Sequence, residues 1–169
     1  MSDPCATRPI SGSNRTGASA TSNAIDVVIH ADPARVWNAI VSETDRWWLP
    51  DFRMAPGSRS VVLEPRLGGR WMELAGPGGN DSAGILWGTV VAIDPPRSLH
   101  LSGHICPPYG AAMFMIQIEV VPSAPPGKGC TVRVTHVEIG DMSEAHAREM
   151  TSGWTRLFKD GLGAYCERG

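Results

Sequence analysis

Met150, Trp154, Leu157, Phe158, Leu162 and Tyr165 recur at steps of three and four near the end of this 169-residue chain. Glu149, Arg156, Lys159 and Asp160 fall on the opposite side. The spacing predicts one amphipathic helix over roughly residues 143–166, on the order of 35 Å long at about 1.5 Å per residue. An apolar stripe of that length must be covered, and a run of strand-like segments precedes it. Those segments are 59–64, 69–74, 84–93, 97–104, 111–121 and 129–138, parted by turn clusters such as Gly76-Pro77-Gly78-Gly79 and Asp94-Pro95-Pro96. Strands joined by short turns form an antiparallel meander. One long helix against one sheet is an α+β architecture, best satisfied by a strongly curved sheet wrapped around the helix. Wherever the helix does not fill the bend, a cavity is left.

The N-terminal part adds three elements. Residues 1–23 are rich in Ser, Thr, Ala, Gly and Asn without periodicity, and read as a disordered tail that buries too little apolar surface to offset its ordering entropy. Ala24 opens a β-rich run to His30, which brings the sheet to about seven strands. Asp32-Pro33 then supplies an N-cap and a first-turn proline. Val36, Trp37 and Ile40 follow at helical spacing, so 33–41 reads as a short helix, and Thr44 to Trp48 as a second helical turn stopped by Pro50. The expected domain is residues 24–168. Trp37, Trp47, Trp48, Trp71, Trp87 and Trp154 are spread over these elements, mostly at inward positions. An interior wide enough for indoles from several elements favours a small-molecule site.

Charge and cysteine usage exclude some classes. A formal net charge of −2 with no lysine- or arginine-rich block disfavours nucleic acid and anionic membrane surfaces as partners. No apolar run approaches the roughly 20 residues that span a bilayer. Cys5, Cys106, Cys130 and Cys166 are scattered and form no CxxC pair, which argues against a disulfide framework. With no apolar secretory stretch at the N-terminus, reduced thiols in a cytoplasm are the expectation.

Several segments, in order, resemble a known superfamily. Ala31-Asp32-Pro33 with Val36-Trp37-Asn38-Ala39-Ile40 and Arg46-Trp47-Trp48 is similar to the opening of START-like (SRPBCC) domains. Leu67-Gly68-Gly69-Arg70-Trp71 resembles their "GG.w" strand. Gly88-Thr89-Val90 with Ile93-Asp94-Pro95-Pro96 and Leu99 resembles "G.V…DPP..L". Cys130 to His136 resembles "T.lt.tH", and Gly153-Trp154 ahead of Leu157, Leu162 and Tyr165 resembles the closing "GW…L…L..Y" helix. The branch most similar is the one named for activators of the heat-shock-protein-90 ATPase. The resemblance implies a helix-grip fold and a hydrophobic pocket between sheet and long helix. Related domains also imply an alternative, a polyketide cyclase or dehydratase; the resemblance does not by itself imply chaperone activation, and a chaperone ATPase co-factor is a third reading.

Strand parity selects the candidate residues. His136 shares parity with Val132 and Val134 and should face the concave side, as a ligand-orienting or proton-transferring imidazole or as a core histidine. Trp71 and Glu73 share parity; if the indole faces inward, so does the carboxylate, which then needs a partner such as Arg70 or Arg97. Phe114 and Ile116 lie on the apolar face of their strand, opposed by Met150, Trp154 and Phe158 of the long helix. Tyr109, in a Pro-rich loop, is placed to gate a pocket mouth. His100 and His104 are four apart on a strand, roughly 13 Å at about 3.3 Å per residue, too far to share one metal ion. The reading is therefore a binding domain for a small hydrophobic molecule, lipid or polyketide-like, with no metal and no cofactor. His136 or Glu73 is the acid/base if the domain is an enzyme. A homodimer and a chaperone partner stay open.

Overall fold

The computed structural model describes residues 19–104, 112–124, 129–140 and 143–168. Strand β1 (Ser19–Ile29) leads into α1 (Pro33–Ser42) and α2 (Thr44–Trp47), then a 3-10 turn at Pro50–Phe52. Six strands follow: β2 (Ser60–Leu63), β3 (Arg70–Leu74), β4 (Gly84–Asp94), β5 (Ser98–His104), β6 (Met113–Pro122) and β7 (Cys130–Gly140). The sheet order is β1-β7-β6-β5-β4-β3-β2, with every neighbouring pair antiparallel. The meander expected from the turn spacing is thus present, with β1 added alongside β7.

Register shifts at Trp71/Met72 and at Val90/Ala92 interrupt the ladders on both sides of β4. Bulges of this kind increase the local twist and bend a strand, which lets the sheet curve. The extended stretch begins earlier than the sequence implies. Ser19 pairs with Gly140 and Asn23 with His136, so residues 19–23 belong to β1 rather than to the tail. Composition misleads there because β7 supplies backbone partners whatever the side chains are. The remainder of the predicted tail lies outside the described residues.

Local signals account for the two short helices. Asp32 accepts a hydrogen bond from the Ala34 amide at 2.8 Å, and Pro33 occupies the first helical position. Trp47 donates its indole N–H to the Ala39 carbonyl at 2.8 Å, and Thr44 Oγ1 donates to the Ile40 carbonyl at 2.8 Å, which locks α2 against α1.

The C-terminal helix starts at Ser143, whose hydroxyl accepts from the His146 amide, and runs as α3 (Glu144–Arg156). It continues through π-helical turns at Leu157–Gly163 into α4 (Ala164–Cys166). The sequence predicts a plain 3.6-residue stripe; the wider turns instead bury Leu157, Phe158, Gly161, Leu162 and Gly163 together, a broader face than one stripe gives. Gly161 is required for that fit, since a Cβ there would stand 2.5 Å from the Trp47 carbonyl oxygen. Gly161→Ala is expected to lower the unfolding free energy by about 1–2 kcal/mol despite alanine's better helix propensity. Denaturant midpoints at unchanged slope would check this.

Inward residues of the sheet form the core with this helix. Val27, Ile29, Leu99, Leu101, Phe114, Ile116, Ile118, Val120, Val132 and Val134 are buried against Trp154, Leu157, Phe158 and Leu162. Phe158 and Leu162 are fully enclosed, so the second half of the helix fills the bend of the sheet. The first half does not.

Candidate functional site

Beside that first half lies a cavity of about 300 Å³. Its wall is mainly aromatic: Trp48 from the end of α2, Phe52 from the 3-10 turn, Trp87 of β4, Phe114 of β6 and Trp154 of α3. Met54, Met150 and Leu157 add apolar surface, and Asp51, His104, His136 and Glu149 are the polar residues. The rings contact one another, with centroids 5.7 Å apart for Trp48–Trp87 and 5.5 Å for His136–Trp154. Gly153 forms part of the wall, and a Cβ there would meet nothing nearer than the Phe52 ring at 3.6 Å.

The predicted residues divide into three groups. Phe114, His136, Met150 and Trp154 are brought together on the cavity wall. Trp71, Ile116 and Phe158 are buried behind it, with Trp71 edge-on to Trp48 at 5.3 Å. Tyr109 lies outside the described residues.

Glu73 is inward and 1% exposed, as parity with Trp71 requires, but it has neither predicted arginine as partner. Arg70 binds Glu64 and Asp81, and Arg97 binds Asp94. Glu73 instead accepts hydrogen bonds from the Met54 amide at 3.0 Å, the Ala55 amide at 3.1 Å and the Trp87 indole at 3.0 Å. Its carboxylate holds the 50–59 loop and one cavity wall in place and does not line the cavity. As a base for a cavity ligand it is badly placed.

A carboxylate that sequence reading passed over stands beside His136. Glu138 of β7 is fully buried, with Oε1 3.7 Å from His136 Nε2 and 3.3 Å from His146 Nε2. The signal was available: Val132, Val134, His136 and Glu138 alternate on one face. Burial, aided by the charge of nearby His146, pushes His136 down to about 4, so its imidazole is neutral at neutral pH. The Glu138 carboxylate, 3.7 Å from Nε2, favours the tautomer that carries its proton on Nε2, which leaves Nδ1 as the acceptor.

Native interiors leave few polar atoms unpaired. Among the described residues, the buried side-chain atoms without a hydrogen-bond partner are Thr21 Oγ1, Asn23 Nδ2, Trp71 Nε1, His136 Nδ1, Glu138 Oε2 and Trp154 Nε1. Asn23 lies opposite His136, and Thr21 opposite Glu138, on the paired strands. Apart from Trp71 on β3, the unpaired atoms therefore gather around one end of the interior, where β1, β7 and α3 meet. No group of His, Cys, Asp and Glu suited to a metal ion occurs among the described residues. No helix there is long and apolar enough to cross a membrane.

A curved seven-stranded antiparallel sheet gripping a C-terminal helix defines a START-like domain of the Bet v 1 type. The chain belongs to the family described as Activator of Hsp90 ATPase homolog 1-like protein, which matches residues 30–167. Solved structures agree in fold. A protein of Mesorhizobium loti shares 15% identity at a TM-score of 0.61, covering 88% of this chain and 98% of its own. For Ara h 8.0201 the values are 14%, 0.64, 89% and 100%. Truncated norcoclaurine synthase from Thalictrum flavum gives 13%, 0.57, 90% and 96%. No curated protein matches the chain.

Proposed function

We propose that this protein binds a small apolar molecule in the cavity between the sheet and the first half of the C-terminal helix. The observation that carries the reading is the cavity's composition. About 300 Å³ is enclosed mostly by indole, phenyl and thioether surface, with one buried imidazole in the wall. That volume is at the small end of the range of about 300–1,000 Å³ usual for ligand pockets, and favours a compact ring system over a long acyl chain.

Thermal shift and tryptophan fluorescence against steroids, polyketide-like aromatics and lipids test it. A true ligand at a hundred times its Kd should stabilise the fold by about 2.7 kcal/mol. The Gly153 position provides the control. Gly153→Ala is expected to raise stability by about 0.5–1 kcal/mol, since the methyl group meets only van der Waals contact and the helix loses a flexible residue. Gly153→Phe would fill the cavity, and should abolish any ligand-induced shift while leaving the fold cooperative. A shift that survives Gly153→Phe would place the ligand elsewhere.

A second reading, acid–base catalysis of the polyketide cyclase or dehydratase kind, has one observation in its favour. His136 is on the cavity wall, neutral, with the Glu138 carboxylate beside it. If turnover of a bound compound is found, His136→Gln should remove it. Retention of full turnover in that variant would end the assignment.

A further inference from the structure

The charges around the cavity are one-sided. Among the described residues no lysine or arginine lines it, whereas Asp51 and Glu149 do. Arg156 is bound to Asp51 at 2.6 Å and lies over the Phe52 ring at 5.4 Å, so those two opposite charges offset each other. Glu149 is left at the rim. At the inner end Glu138 is completely buried; one of its oxygens is near two imidazoles, and the other has no partner. His136, between Glu138 and the cavity, offers an unpaired Nδ1. That atom calls for a hydrogen-bond donor, which a carboxylate-headed ligand does not bring.

Resting on the reading of this cavity as a ligand site, we propose that its ligand is a protonated amine with a compact aromatic or alicyclic body. The body lies among Trp48, Trp87 and Trp154, an ammonium N–H donates to His136 Nδ1, and the ammonium charge is attracted by Glu138, buried behind that imidazole, and by Glu149 at the rim. Indole faces attract cations as well as apolar rings, so the walls and the acids select in the same direction. An anionic ligand of the same shape meets like charge from Glu138 behind the His136 wall and from Glu149 at the rim, beside an interior that screens weakly.

Three matched probes separate the possibilities: 1-naphthylmethylamine, 1-naphthalenemethanol and 1-naphthoate, titrated calorimetrically into the full-length protein at neutral pH and low salt. The amine is expected to bind about tenfold more tightly than the alcohol, with the acid weakest. Glu138→Gln should bring the amine-to-alcohol ratio to about three, and Glu149→Gln should lower amine affinity about threefold, in both cases with the alcohol unaffected. Glu149 is exposed, so its variant keeps the test decisive if Glu138→Gln does not fold. Acid binding as tight as amine binding, or an amine preference unchanged by Glu149→Gln, overturns the proposal while leaving the cavity a ligand site. Binding of none of the three overturns both.

Discussion

Replacing Glu73 with alanine is expected to cost about 4 kcal/mol of unfolding free energy, a large share of the roughly 5–15 kcal/mol that keeps a domain folded. The carboxylate accepts from two consecutive loop amides and one indole, all at 3.0–3.2 Å, from a position 1% exposed. Deleting it strands three donors at once, and each buried donor left unpaired costs about 1–3 kcal/mol. The loss should be local in origin. Met54 and Ala55 are in the loop that follows Phe52, and Trp87 is in the wall, so the cavity should open before the rest of the sheet is affected. Hydrogen exchange at residues 50–59, compared with that of β6 and β7, would show this order. Glu73→Gln keeps one acceptor oxygen but presents an NH2 group to the remaining donors, and an intermediate cost is expected. A Glu73→Ala protein as stable as the parent would remove the clamp from the account of the fold.

Lowering the pH should destabilise the protein in a window that belongs to His136. Its imidazole is held neutral to about pH 4 in the fold but titrates near 6.5 in the unfolded chain. The unfolded state therefore binds more protons between these values. Stability is fully present above about pH 6.5 and falls below it, by about 2 kcal/mol near pH 5 and about 3 kcal/mol near pH 4. Several carboxylates, among them Asp26 and Glu64, are held below their ordinary values by arginine partners. Their contribution is lost only at lower pH, so the interval from about 6.5 to 5 isolates the histidine. Denaturant melts across that interval should show the slope in the parent and a flat line in His136→Gln. A parent that is flat there would mean that the imidazole titrates in the fold as it does in the unfolded chain, and would remove its burial from the account of stability.

The fold was legible because it rests on periodicities that survive without context. Met150, Trp154, Leu157 and Leu162 mark a helix at any location, and the alternation through Phe114, Ile116, Ile118 and Val120 marks a half-buried strand. Parity placed His136 and Glu73 inward. It did not supply their partners, because the donors to Glu73 are backbone amides of a loop whose path depends on tertiary packing. The same parity turns Glu138 inward, but its partner His146 comes from the helix above, which no strand alternation reveals. Trp48, Phe52 and Trp87 reach the cavity from three separate elements, and no local pattern in the chain joins them.

The C-terminal helix has two halves with different duties. From Phe158 onward every inward residue is committed to holding the molecule together, whereas Glu149, Met150 and Gly153 border open space. Substitutions at those three positions can therefore reshape the cavity without eroding the fold. Such an arrangement lets one scaffold diversify its chemistry by changes within two turns of a single helix.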